Sequence, residues 1–364
     1  MLVPSPDRQG HDAVSWRVHV PAPGSMMAAE IAEQPAVLAR LLDDALASTR
    51  MVASAVARRS PRFVLLAARG TSDHAALFAK YLLEIRLGLP CGLMSPSTMT
   101  AYGARPRLAD CLVVAVSQSG SSPDLVESVA VARACGATTL ALTNAPASDL
   151  ATAAELHLDV GAGPERAVAA TKSYTAQCLA LWLLVDALAG GDGSAARGVP
   201  DAAQAMVERR GEVADLAARY RFASRVVLTG RGYSYPTARE AAIKLMETSY
   251  LAAHAFSGAD LMHGPMAMID PQYPVVAVVP AGIGQRAMEP VLFRLQASGA
   301  DVLLMGTEDA GTGCTYFRLP PGLDEQVHPP VDIIALQWLS LEIALARGLD
   351  PDAPRGLAKV TQTW

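Results

Sequence analysis

The chain of 364 residues is 51% hydrophobic and carries 30 Lys and Arg against 35 Asp and Glu, a formal net charge of -5. Such a composition can bury a large core spread over about two domains at roughly 150 residues each, and it excludes a disordered chain. With no basic run and a pI of about 5.8, the sequence lacks the electrostatic footprint of a nucleic-acid binder.

The opening twenty residues have no apolar signal core, and apolar stretches such as CLALWLLVDALAG (178–190) are too short to span a bilayer. A cytoplasmic protein without a membrane segment is expected. Five cysteines, Cys91, Cys111, Cys135, Cys178 and Cys314, form no CxxC pair, which predicts reduced, buried thiols and no metal site built on them.

After a leader containing Pro and Gly that runs to Gly24, residues 26–59 show helical spacing. RFVLLAA (62–68) then begins an alternation of apolar strands and amphipathic helices, the rhythm of an α/β protein with parallel sheets. In VVAVSQSGSSPD (113–124) a strand runs into clustered serines and a helix start. Two readings stand open. Ser122 can cap the helix, with Pro123 in its first turn and Asp124 on the positive end of its dipole. Alternatively, the hydroxyls of Ser117, Ser119, Ser121 and Ser122 join the unpaired N–H groups in a phosphate cradle.

A helical and polar stretch from Thr171 to about Arg221 precedes a second series that starts at SRVVLTG (224–230). FVLLAARGTSDHAALFAKYLLE (63–84) and RVVLTGRGYSYPTAREAAIKLM (225–246) share strand, Arg-Gly, Ser and helix, because 232 − 70 and 234 − 72 both equal 162. The same offset lays VVAVV at Val275 on VVAVS at Val113. A repeat of that length predicts two similar doubly wound sheets. The serine cluster has no counterpart in the second copy, which reads VVPAGIGQRAM (278–288) there.

In that second copy, Glu240, Lys244 and Glu247 fall at i, i+4 and i+7 and share one helical face, as a surface salt-bridge ladder or as a site. His263 lies in a turn bracketed by Gly and Pro, and the tail GLDPDAPRGLAKVTQTW (348–364) has no periodicity but carries the apolar residues Leu357, Val360 and Trp364.

AARGTSDHAALFAKYLLE, VSQSGSSPD, AVAATKSYTAQ, GRGYSYPTAREAAIKLMETSY, LMHGPMAMID and DPDAPRGLAKVTQTW, in that order, together resemble the sugar isomerase (SIS) fold of the isomerase half of glucosamine-6-phosphate synthase. The wording is most similar to stand-alone SIS-type glucosamine-6-phosphate deaminases. The synthase's glutaminase domain and the helix-turn-helix of SIS regulators are not expected ahead of so short a leader. The resemblance implies two flavodoxin-like, doubly wound SIS subdomains at 25–200 and 201–348, with an N-terminal helix and an extended C-terminal tail (349–364) that closes the site. It implies phosphosugar contacts at Ser72, Ser117, Gln118, Ser119 and Ser122, and a sugar-lining loop at Val168 and Ala170, where the synthase has a serine in place of Ala170. It further implies an enolisation base in Glu247, with Lys244 near the reacting carbons and Lys359 as a tail lysine. His263 would open the sugar ring in the neighbouring subunit of a homodimer. Glu240 would position Lys244, no metal or cofactor is expected, and the substrate would be a phosphorylated amino sugar.

Overall fold

The structure, a computed structural model, describes residues 22–308 and 313–359. Most of the leader, and Val360 and Trp364 of the tail, lie outside the described residues. The helical stretch read at 26–59 is three helices, α1 (Ser25–Ala32), α2 (Gln34–Asp44) and α3 (Leu46–Arg59). Pro35 stands in the first turn of α2, where its missing N–H costs nothing but could not have continued α1.

The first half then runs β1 (Phe63–Ala67), α4 (Thr71–Leu87), β2 (Cys91–Leu93), α5 (Ser97–Thr100), β3 (Cys111–Ser117), α6 (Pro123–Ala134), β4 (Thr138–Thr143), α7 (Asp149–Ala153) and β5 (Leu156–Asp159). Helices α8 (Lys172–Leu188), α9 (Val199–Glu208) and α10 (Arg210–Tyr220) connect it to the second. The second runs β6 (Arg225–Gly230), α11 (Ser234–Ser249), β7 (Ala252–Ser257), α12 (Gly258–Met262), β8 (Pro274–Val279), α13 (Ile283–Ala297), β9 (Asp301–Gly306), β10 (Thr315–Arg318) and α14 (Pro329–Ala346).

Both sheets are parallel, in the orders β2-β1-β3-β4-β5 and β7-β6-β8-β9-β10. Counted within each half, both are 2-1-3-4-5, the flavodoxin-like order, and the offset of 162 lays Phe63 of β1 on Arg225 of β6. The two similar α/β subdomains expected from the repeat are present. Strands covered on both faces need continuous apolar runs, and β3 (CLVVAVS) is buried throughout.

The two halves share one core, in which Phe78 of α4, Trp182 of α8, Leu245 of α11 and Trp338 of α14 belong to a single apolar cluster. Helix α14 is long and apolar enough to cross a membrane, yet 83% of it is buried, and it packs on α8, α9, α10 and α11 as a core helix. All five cysteines are unpaired, but only Cys111 and Cys178 are buried; Cys91, Cys135 and Cys314 are half-buried, so burial is less complete than the sequence predicts. Burial pushes the thiols of Cys91 and Cys111 up to about 12 and about 11.

In this strand order the chain reverses direction across the sheet between its first and third strands, which opens a crevice at their carboxyl ends. Gly70 (φ 54°) and Gly120 (φ 63°) turn the chain there in the first half, Gly232 (φ 58°) and Gly282 (φ 152°) in the second. A Cβ on Gly120 would stand 2.1 Å from Ser148 Oγ, so that turn requires glycine. In the second half the crevice is filled from within. The Glu325 carboxylate accepts the Ile283 and Gly284 N–H groups, both at 2.8 Å, at the start of α13.

Candidate active site

The crevice of the first half opens into a cavity of about 320 Å³. Ser72, Ser117, Gln118, Ser119, Ser122, Val168, Ala170, Lys244, Glu247 and Lys359 all line it. Ten of the eleven residues that the resemblance places against the substrate therefore meet at one place, drawn from both halves and the tail. The exception is His263, exposed at the end of α12 and absent from the cavity wall.

Hydroxyl geometry decides what the serines do. Ser122 occupies the N-cap position of α6 with extended backbone, but its side chain makes no capping bond. Ser122 lines the cavity. Pro123 has no N–H and the Leu125 N–H already meets the Ser122 carbonyl at 3.1 Å, so in the first turn the Asp124 N–H is left for another acceptor. Ser117 Oγ accepts from Gly120 N–H at 3.1 Å, and Ser72 Oγ accepts from Gln177 Nε2 of α8 at 3.0 Å. Each hydroxyl keeps its own proton to donate. Ser119 Oγ accepts the Ser121 hydroxyl at 2.9 Å. Together these groups form a donor-rich cup at a helix N-terminus, suited to an anion. Asp124, which the sequence suggests for the helix dipole, instead clamps Arg69: its Oδ2 lies 2.9 Å from Arg69 Nε and 2.7 Å from Nη2. Arg69 is thereby held on the rim of the same cavity.

The acid–lysine face of α11 is no surface ladder, because Glu240 and Lys244 are both 0% exposed. Lys244 Nζ donates to Glu247 Oε2 at 2.6 Å and lies 3.5 Å from Glu240 Oε1. Burial alone would push the Lys244 ammonium down, but Glu247 and Glu240 outweigh it and hold its pKa above the ordinary value. Glu240 also accepts from Thr71 Oγ1 at 3.1 Å and lies 2.8 Å from His74 Nδ1, so α11 is tied to α4 of the other half. Glu247, partly exposed on the cavity side, is the carboxylate free to reach a ligand.

Two buried acids that the sequence reading missed fix the loop bearing Val168 and Ala170. Glu30 of α1 accepts the Arg166 and Ala167 N–H groups. Burial raises its pKa, partly countered by the Arg166 N–H. Glu165 accepts the Thr171 N–H at 2.9 Å, the Ser173 N–H at 3.0 Å and the Ser173 hydroxyl at 2.7 Å, and its Oε2 receives Lys359 Nζ at 3.0 Å. The tail reaches that point along a defined path. Asp352 accepts the Met26 and Met27 N–H groups at 2.8 and 2.9 Å and so caps α1 from the far end of the chain. Asp350 accepts the Gly24 N–H at 3.0 Å. Arg355 stacks over the ring of Tyr250, whose hydroxyl accepts the Arg355 N–H at 3.0 Å. The one acid in GPERAVAATK, just ahead of the apolar run AVAA, was the only signal pointing to Glu165.

Known proteins share this architecture. The SIS domain pattern matches residues 59–187 and 220–342, one stretch in each half. An isomerizing glutamine–fructose-6-phosphate aminotransferase of Thermococcus kodakarensis is 33% identical over 364 aligned residues, which cover 95% of this chain and 60% of that protein. A second, from Methanothermobacter thermautotrophicus, is 35% identical over 81% of this chain and 51% of its own. The chain thus spans between half and three fifths of the length of these relatives. The crystal structure of a candidate phosphosugar isomerase from Silicibacter pomeroyi superposes with a TM-score of 0.80 at 33% identity, over 90% of this chain and 99% of that one. Since the matched pattern falls once on each sheet, and a 33% identical structure is covered almost from end to end, the chain belongs to the SIS domain family.

Proposed function

We propose that this chain is an amino-sugar phosphate deaminase that converts glucosamine-6-phosphate and water to fructose-6-phosphate and ammonia. The observation that carries the reading is the single cavity in which a donor cup meets Glu247, Lys244 and Lys359. The cup takes the phosphate, which leaves the sugar's reacting carbons toward α11 and the tail. Glu247 removes the C2 proton of the opened sugar and returns it at C1, a shuttle suited to a carboxylate that serves first as base and then as acid. The resulting C2 imine is hydrolysed by water, and ammonia leaves. The Lys244 ammonium beside Glu247 offsets charge that develops on the sugar oxygens. The relatives' names place an isomerizing amino transfer on fructose-6-phosphate, and the proposed reaction runs that sugar chemistry in reverse, with ammonia released to water.

Ammonia release across a panel of phosphorylated amino sugars, fructosamines and plain aldose phosphates tests the proposal. Aldose–ketose interconversion with no ammonia from any amino sugar would replace it with an isomerase, a reading that the Silicibacter relative favours. Ammonia from fructosamine-6-phosphate alone would make the chain a deglycase, and binding without turnover a sugar-phosphate sensor.

Replacing Ser119 with Ala removes a donor to a charged group, worth about 1.5–3 kcal/mol. The expected result is a KM raised by about tenfold or more with the fold intact. An unchanged KM for the phosphosugar would return the serines to a purely local role.

The exposed His263 is assigned, within the same proposal, to ring opening in the neighbouring subunit of a homodimer. Mixing an inactive Glu247→Gln chain with an inactive His263→Ala chain then regenerates activity, because one site of each heterodimer holds both intact residues. No recovery after demonstrated subunit exchange would mean that each chain completes its own site.

A further inference from the structure

We propose that Glu165 is the positioning residue of Lys359: a carboxylate built into the sugar-facing loop that seats the tail lysine at the mouth of the cavity. The proposal rests on the reading above, in which Lys359 faces bound sugar. Glu165 sits just before the first turn of α8, and its side chain is wholly buried. Three of its four hydrogen bonds come from Thr171 and Ser173, enough to pin the loop by themselves. The fourth donor, Lys359, stands 194 positions later in the chain.

Charge accounts for that fourth contact. Burial opposes ionisation of Glu165, but the Lys359 ammonium together with the Ser173 and Thr171 donors outweighs it and holds the carboxyl below the usual carboxylate range. Glu30 adds a second buried acid close by, while of the other lysines Lys172 is engaged by Glu33 and Lys244 by Glu247 and Glu240. An ammonium arriving from the tail is therefore drawn to Glu165 and to no neutral part of the rim. The Ser173 hydroxyl bonds the same oxygen, Oε2, that receives Lys359, and Ser173 lines the cavity. Glu165 thus joins the cavity wall to the tail. Lys359 keeps 24% of its side chain exposed, so it can swing from Glu165 toward a ligand without unburying the loop.

A double-mutant cycle with a labelling readout tests this. Glu165→Gln preserves the shape of the side chain and removes its charge. The expected result is kcat lowered by about tenfold or more, with KM for the phosphosugar within about threefold of wild type, since the cup is untouched. In a Lys359→Ala background the same change is expected to have almost no further effect on rate, because the two residues act as one unit. Lys359 is also expected to react several-fold faster with an amine-acylating reagent in Glu165→Gln than in wild type, read by peptide mass spectrometry. Glu165→Asp, which keeps the charge but shortens the reach, serves if the Gln variant does not fold, and intermediate labelling is expected of it. Unchanged Lys359 labelling, or a Glu165→Gln effect that persists in the Lys359→Ala background, would make Glu165 a purely structural residue and overturn the proposal. The labelling is independent of the reaction catalysed, so it stands or falls separately from ammonia release.

Discussion

Glu247→Gln is expected to bind the phosphosugar about as tightly as wild type while turnover falls by roughly 10²–10⁴-fold, the usual share of general acid–base catalysis. The amide keeps the length of the side chain and can still accept from Lys244, which donates to Glu247 Oε2 at 2.6 Å. Lys244 remains paired with Glu240, so the buried ammonium is not left uncompensated and the fold should tolerate the change. What the amide cannot do is take the C2 proton. Substrate turned over in deuterated water should therefore gain label at C1 with wild type and not with the variant. Equal labelling by both would remove Glu247 from the proton-transfer role.

The second large effect is expected at the tail, where two perturbations separate. Lys359→Ala leaves Asp350, Asp352 and Arg355 in place, so the path of the tail over α1 and Tyr250 persists. Deamination should be nearly abolished while phosphosugar binding is kept, and the cost in thermal stability is that of leaving the buried Glu165 carboxylate without its ammonium. Truncation before Asp350 abolishes deamination too, but also strips the carboxylate cap from α1, a loss of about 1 kcal/mol for such a cap. Because Glu30 of α1 holds the loop bearing Val168 and Ala170, the truncated chain should also bind phosphosugar more weakly, though measurably. Calorimetric binding, melting and ammonia release on the same preparations distinguish the two. Full activity in either variant would remove Lys359 from the site.

How much of this was legible beforehand follows from the range of each signal. The duplicated sheet could be read because strand pattern, Arg-Gly and Ser recur at one fixed offset, and such patterns are local. The α11 face could be read from spacing within one helix, although only the structure shows that Glu240 and Lys244 are buried. Ser122 was ambiguous because capping and ligand binding use the same residue at the same position. The contacts that hold the tail could not be read: Asp352 meets Met26 across 326 positions, and no periodicity links them. Only the resemblance pointed to a docked tail, whereas in the structure carboxylates at a helix start, a stacked Arg355 and the Lys359–Glu165 contact hold it in place. Asp124 was assigned to its own helix because its partner, Arg69, follows a different strand.

The Glu325 carboxylate at the start of α13 gives the duplication its asymmetry. Both halves retain a glycine turn and a helix start at the same crevice, and in the second the two N–H groups already hold an anion that belongs to the chain itself. A tethered group of this kind acts at a high effective concentration, on the order of millimolar even for short flexible linkers, and it cannot diffuse away. A free phosphate would have to displace it and leave a carboxylate without its donors. Doubling the fold therefore did not double the binding capacity. On the proposed reading one copy keeps its anion position open to solvent-borne ligands, while the other turns the same geometry into an internal clasp between α13 and the segment that leads into α14.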